Sequence, residues 1–138
     1  MNDIYSFAEE NNITISDFKS KTLKSFSIPD KIAVNEKLTE NRADLKTCLI
    51  HEIGHCMTDS FYNINSKFDI RSQHEYRADK WAIEKYLPFD ELVSVIKHGI
   101  TEVWEIAEHF ELTEDFVKKA LYIYEENFIE LKKEEIFK

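Results

Sequence analysis

Two glycines and two prolines in 138 residues leave little punctuation for turns, so the chain is expected to be mostly regular and rich in helix. With only two cysteines, Cys48 and Cys56, a disulfide framework is excluded. Placed eight apart on one helix they would be separated by about 12 Å, too far to bridge each other. They read as buried thiols. Basic residues are also scarce: 18 Lys and Arg stand against 27 Asp and Glu, a net charge of −9. Phosphate binding needs basic surface, so a direct nucleic-acid partner is not expected. No stretch of 18 apolar residues occurs, and Met1 to Ser6 lacks a basic region followed by an apolar run. These absences point away from a membrane span or signal peptide and toward a soluble, cytoplasmic protein. The length suits one domain, residues 1–138, able to bury roughly two-thirds of its unfolded surface.

What the chain does contain is an ordered succession of periodic segments. Ile4, Phe7 and Ala8 have helical spacing, and Asn11-Asn12 stops that first helix. Ile13 to Ser16 alternates as a strand does. Leu23 to Ile28, with Phe26 and Ile28 on one face, and Lys31 to Asn35 follow around a Pro29-Asp30 turn. A small antiparallel sheet is expected within residues 1–38. Metal-site helices follow over residues 39–87, then a helical tail over 88–138. The fold class is therefore α+β, mostly helical, with its small sheet near the N-terminus.

The central segment is His51-Glu52-Ile53-Gly54-His55, flanked by Cys48-Leu49-Ile50 and Cys56-Met57. Asn41 or Thr39 can cap the helix that carries it, and Asp44 falls in the first turn where the helix dipole favours an anion. Residues four apart share one helical face, so the two imidazoles can converge on one ion with the glutamate beside them, as in a zincin-like metal helix. Residues 58–70 are expected to loop past this site. A second helix, from about Ser72 to Tyr86, presents Glu75, Ala78, Asp79 and Ala82 on one face. Its alanines would allow close approach to the histidine helix, with Glu75 as third ligand. Asp79 would then accept a hydrogen bond from the far nitrogen of a ligating histidine.

A zinc ion held by two histidines and one glutamate keeps a position for water and lowers that water's pKa to about 7, with Glu52 as base. Hydrolysis of an amide is the chemistry expected. Manganese or iron also suit the donor set, less well than zinc. A strand edge near Ile32 to Val34 could pair with an extended substrate. Rival readings exist. Ser72-Gln73-His74-Glu75 also fits a capping box, which would tie Glu75 to the backbone. His74 could replace Glu75 as ligand or stabilise the oxyanion, and Tyr62 and Tyr76 are further candidate donors to it. Cys56 is a minor ligand candidate. His98 and His109 read as solvated, Trp81 and Trp104 as core. The segment from Ile106 through Leu121 has helix-turn-helix spacing, yet acidic residues outnumber basic ones 11 to 5 over residues 101–138, which favours packing or partner binding over DNA reading.

Taken together, His51 to His55, the run His74-Glu75-Tyr76-Arg77-Ala78-Asp79-Lys80-Trp81-Ala82 through Leu87-Pro88, and Ile106 to Phe110 resemble the ImmA/IrrE metallo-endopeptidase family of phages, mobile elements and stress regulation. The Glu-x-x-Ala-Asp-x-x-Ala run ending in Leu-Pro is the more specific part; the family often has Asn where this chain has Asp79. The resemblance implies that His51, His55 and Glu75 bind metal and that Glu52 is the base. It implies limited cleavage of a helix-turn-helix transcriptional repressor, which switches on the element's genes. The alternative is a non-catalytic anti-repressor with a structural or vestigial metal, whose acidic tail sequesters a regulator.

Overall fold

The computed structural model describes residues 1–63 and 65–127. The described residues contain six α-helices, three strands and one 3-10 turn, Glu36–Leu38, and the chain is α+β and mostly helical as its composition implies. It divides into two compact units, Met1–Ala82 and the residues from Ile83 onward. No described helix is long and apolar enough to cross a membrane.

In the first unit, α1 (Asn2–Glu10) buries Ile4 and Ala8 and sets Phe7 against Trp81, ring centroids 5.6 Å apart. Asn11 Nδ2 caps it by donating to Phe7 O at 2.8 Å, and Asn12, at φ 59°, turns the chain into β1 (Thr14–Asp17). Next come β2 (Ser25–Ile28) and β3 (Lys31–Val34), joined through Pro29 and Asp30, the latter at φ 64°.

The sheet is mixed rather than antiparallel throughout. Its order is β1-β3-β2, with β3 antiparallel to β2 but parallel to β1. The apolar pattern supplies a reason: β3 buries Ile32 and Val34, each 2% exposed, and a central position covers both best. The tight turn forces β2 antiparallel to β3, while residues 18–24 carry the chain from β1 to the far side of β3. Because β3 is central, the expected substrate-pairing edge at Ile32 to Val34 is not available. The edge strand beside the site is β2.

On this sheet lies α2 (Arg42–Thr58), packed against β2 and β3, with Leu49, Ile50 and Ile53 fully buried along it. Asn41 Oδ1 accepts from Asp44 N at 2.9 Å, the expected cap, and Lys24 Nζ binds Asp44 Oδ2 at 2.8 Å. Then α3 (Phe68–Tyr86) starts four residues earlier than the sequence pattern suggests, which shortens the preceding loop. It buries Ala78 and Ala82 completely. A Cβ on Gly54 would lie 2.4 Å from Ala78 O, so the two helix backbones touch at this point. Glycine inside a helix costs about 1 kcal/mol relative to alanine, and here that cost permits the approach.

In the second unit, α4 (Phe89–Lys97) ends at Gly99, φ 97°. A reciprocal Glu102/Glu105 capping box opens α5 (Val103–Phe110), and Thr113 Oγ1 caps α6 (Glu114–Asn127) by accepting from Phe116 N at 3.2 Å. The sequence pattern predicts that this last helix runs from Glu114 to about Lys133, an end that lies outside the described residues. Tyr124 donates to Leu87 O at 2.8 Å and packs edge-on against Phe89. Trp104, expected in the core, is 56% exposed, because α5 turns Ile106 and Ala107 inward instead.

Candidate metal centre

Three donor side chains from two touching helices meet in the first unit. His51 Nε2 lies 2.8 Å from Glu75 Oε2, His55 Nε2 lies 3.2 Å from Glu75 Oε1, and the two Nε2 atoms are 3.2 Å apart. One ligand atom from each residue falls within 4.8 Å of the others. The capping-box rival for Glu75 fails on helix position: α3 begins at Phe68, so Ser72 is inside the helix and Glu75 is free to face α2.

Both imidazoles are oriented from behind. Asp79 Oδ1 accepts from His51 Nδ1 at 2.7 Å, one helical turn beyond Glu75. At the end of α2, Asp59 adopts a left-handed conformation, φ 51°, which brings Ser60 back under the helix. There Ser60 N donates to His55 O at 3.1 Å, and Ser60 O accepts from His55 Nδ1 at 2.6 Å. A carbonyl can only accept, so His55 Nδ1 carries a hydrogen, and with a cation bound Nε2 would offer its lone pair to the centre. Two imidazole nitrogens and a carboxylate, each braced behind, form a donor set suited to a divalent transition metal.

The electrostatics agree. Burial alone would lower the His51 pKa, but hydrogen bonds to Asp79 and then Glu75 outweigh it and push the group up to about 10. For Glu75 burial works upward, but hydrogen bonds from His51, His55 and Tyr62 hold the carboxyl well below the usual carboxylate range. In the metal-free protein a proton on His51 supplies positive charge among these acceptors, and a bound cation would compete with that proton.

A stability prediction follows from linkage. A raised histidine pKa contributes stability that is complete below the ordinary 6.5 and is lost as pH rises toward about 10. Glu75 acts at the other end, its contribution present above the ordinary 4.5 and lost only in strong acid. The melting temperature of chelator-treated protein should therefore fall between about pH 6.5 and 10 by more than that of a His51→Gln variant. Parallel profiles for the two proteins would contradict the His51 charge arrangement.

Glu52, 6% exposed, lines the same cleft of about 400 Å³ as the three donors. Its carboxylate accepts from Ser25 Oγ at 2.8 Å and Ser27 Oγ at 2.7 Å, both on β2. Neither serine, nor Ser60, is singled out by motif spacing, because their roles depend on strand register and on a carbonyl. Leu23, Phe26 and Phe61 add apolar walls.

Among the expected oxyanion candidates, Tyr62 borders the cleft and donates to Glu75 Oε1 at 2.5 Å. Burial and then the Glu75 contact push its hydroxyl up to about 12. His74 packs edge-on against Tyr62 and, like the 43% exposed Tyr76, does not line the cleft. Cys56 points instead at Ile28 O, 3.7 Å away, and burial raises its thiol to about 11. His98 and His109 are exposed and lie on α4's C-cap and on α5, in the second unit.

No family model, curated protein or solved structure matches the chain.

Proposed function

We propose that this chain is a metal-dependent endopeptidase of the ImmA/IrrE type, acting in the cytoplasm. Its substrate on this reading is a protein, a helix-turn-helix repressor of a phage or mobile element, cut at a limited position. The observation that carries the proposal is the meeting of His51, His55 and Glu75 beside a buried Glu52 that opens on the same cleft. A purely structural metal would not require that fourth group.

A zinc ion held by His51, His55 and Glu75 would polarise a peptide carbonyl and acidify water in the cleft. Glu52 accepts a proton as general base and returns it to the departing amine. Asp79 and Ser60 keep the two imidazoles aimed, so little reorganisation is needed when charge develops. Tyr62 is the best placed of the three candidate donors for the carbonyl oxygen, since its hydroxyl already reaches the cleft. The substrate lies extended along β2, whose outer edge has no strand neighbour among the described residues, and donates and accepts main-chain hydrogen bonds there.

Elemental analysis of freshly purified protein should find bound zinc, or manganese or iron in its place, and Glu75→Ala should lose it. Co-incubation with candidate helix-turn-helix repressors should cut at least one of them into two defined fragments. Absence of metal from the wild-type protein, or an intact repressor after prolonged incubation with metal-loaded protein, would overturn the proposal.

A further inference from the structure

The register of β2 is inverted relative to what burial alone would select. Ser25 pairs with Val34 and Ser27 with Ile32, so the two serines share the inward face with the buried side chains of β3. Phe26 and Ile28 consequently point the other way and are 42% and 49% exposed. A one-residue slip would bury the apolar pair and release the serines to solvent. Something specific must hold the observed register. Part of it is the turn at Pro29 and Asp30; the rest is chemical, because both inward hydroxyls end on one carboxylate.

That carboxylate is Glu52. Ser25 Oγ approaches Oε2 at 2.8 Å and Ser27 Oγ approaches Oε1 at 2.7 Å, one donor for each oxygen. Residues two apart on a strand lie on the same face, so the pair grips the carboxylate from two points along the strand. Rotation of the carboxylate about its last torsion would break one or both contacts. A carboxylate has roughly four acceptor sites, so two hydroxyl donors orient it and still leave a lone pair on each oxygen.

We infer that Ser25 and Ser27 are positioning residues that hold Glu52 in its working orientation and join the base to the strand that borders the cleft. The inference rests on the endopeptidase reading of Glu52 and deepens it. The same strand then carries two tasks, with its outer edge available to the substrate and its inward hydroxyls setting the base. A base held in place contributes to turnover rather than to affinity, because its contact with the reacting proton matters most in the transition state.

The test uses the metal-loaded full chain with Ser25→Ala/Ser27→Ala, and Ser25→Thr/Ser27→Thr as the conservative pair. The alanine pair should lower kcat about 10- to 100-fold with KM little changed and metal content unchanged, and the threonine pair should recover most of the loss. Independently of activity, carbon-13 NMR of glutamate-labelled protein should shift the Glu52 carboxylate signal, assigned by its absence in Glu52→Gln. That shift should appear in the alanine pair and revert in the threonine pair. Should the double alanine chain not fold, Ser25→Ala and Ser27→Ala singly carry the same comparison. Unchanged kcat, or a loss that follows falling Tm and is not restored by threonine, overturns the inference. If the wild-type protein cleaves nothing, the endopeptidase reading fails by itself, and an unshifted carboxylate signal separately refutes the clamp.

Discussion

If the proposed function holds, a Glu52→Gln chain should bind metal and melt as the wild type does but cleave the proposed repressor substrate about 10²–10⁴ times more slowly, the range associated with loss of a general base. The amide is nearly isosteric with the carboxylate and can still accept from Ser25 or Ser27 through its oxygen, so the cleft geometry is expected to survive. It cannot take up a proton at neutral pH. Removing a charge that is only 6% exposed should not destabilise the fold greatly, and could even relieve desolvation. Side-by-side measurement of fragment yield, bound metal and Tm separates the roles. Undiminished cleavage by the glutamine variant would exclude Glu52 as base. Derepression in cells that persists without cleavage would instead favour sequestration of the repressor by binding.

A second large effect is expected at Gly54. The Cβ of Gly54→Ala would be placed 2.4 Å from Ala78 O and 3.0 Å from Ala78 C, both backbone atoms that cannot rotate aside. Overpacking of this kind costs typically ~1–3 kcal/mol, and here it acts against a gain of about 1 kcal/mol in helix propensity. The contact is with a rigid helix rather than a flexible side chain, so the net effect should be destabilising by up to ~2 kcal/mol, with Tm lowered by up to roughly 8 °C. The consequence extends to chemistry. Glu75 sits three residues before Ala78 on the same helix, so separating α3 from α2 withdraws the carboxylate from His51 and His55. Calorimetry and metal analysis of the alanine variant check both effects together. Unaltered Tm and full metal content would show that the helices tolerate separation and that close approach is not what assembles the donor set.

The same pair of helices shows how far residue patterns reach. Histidines four apart on an apolar helix, and Glu75, Ala78, Asp79 and Ala82 on one face of another, are local facts of spacing. Helical geometry converts them directly into two facing surfaces. Asn41 as a cap was legible for the same reason, since it acts within one turn of its own position. The start of α3 was less so. Phe68 and Asp69 lie in a polar, irregular stretch whose pattern does not distinguish a first helical turn from a loop.

Alternation in Ile13–Ser16, Leu23–Ile28 and Lys31–Asn35 correctly marks three strands, but period two says only that neighbours face opposite sides. It does not say which strands are adjacent, or which face is inward. Those choices depend on burying Ile32 and Val34 under α2, which places β3 at the centre, makes β1 its parallel neighbour and leaves β2 at the edge. Trp104 was misplaced in the same way: its size suggests a core position, but the packing of α5 favours Ile106 and Ala107.

By itself, then, the sequence determined the helical α+β character, the histidine helix and the identity of its facing carboxylates, because all of these follow from spacing within single helices or strands. Only the tertiary structure decided the strand order, the exposed face of β2, the Ser60 carbonyl behind His55 and the two serines on Glu52. Those features join residues as far as 27 positions apart, and no local periodicity encodes which distant surfaces will meet.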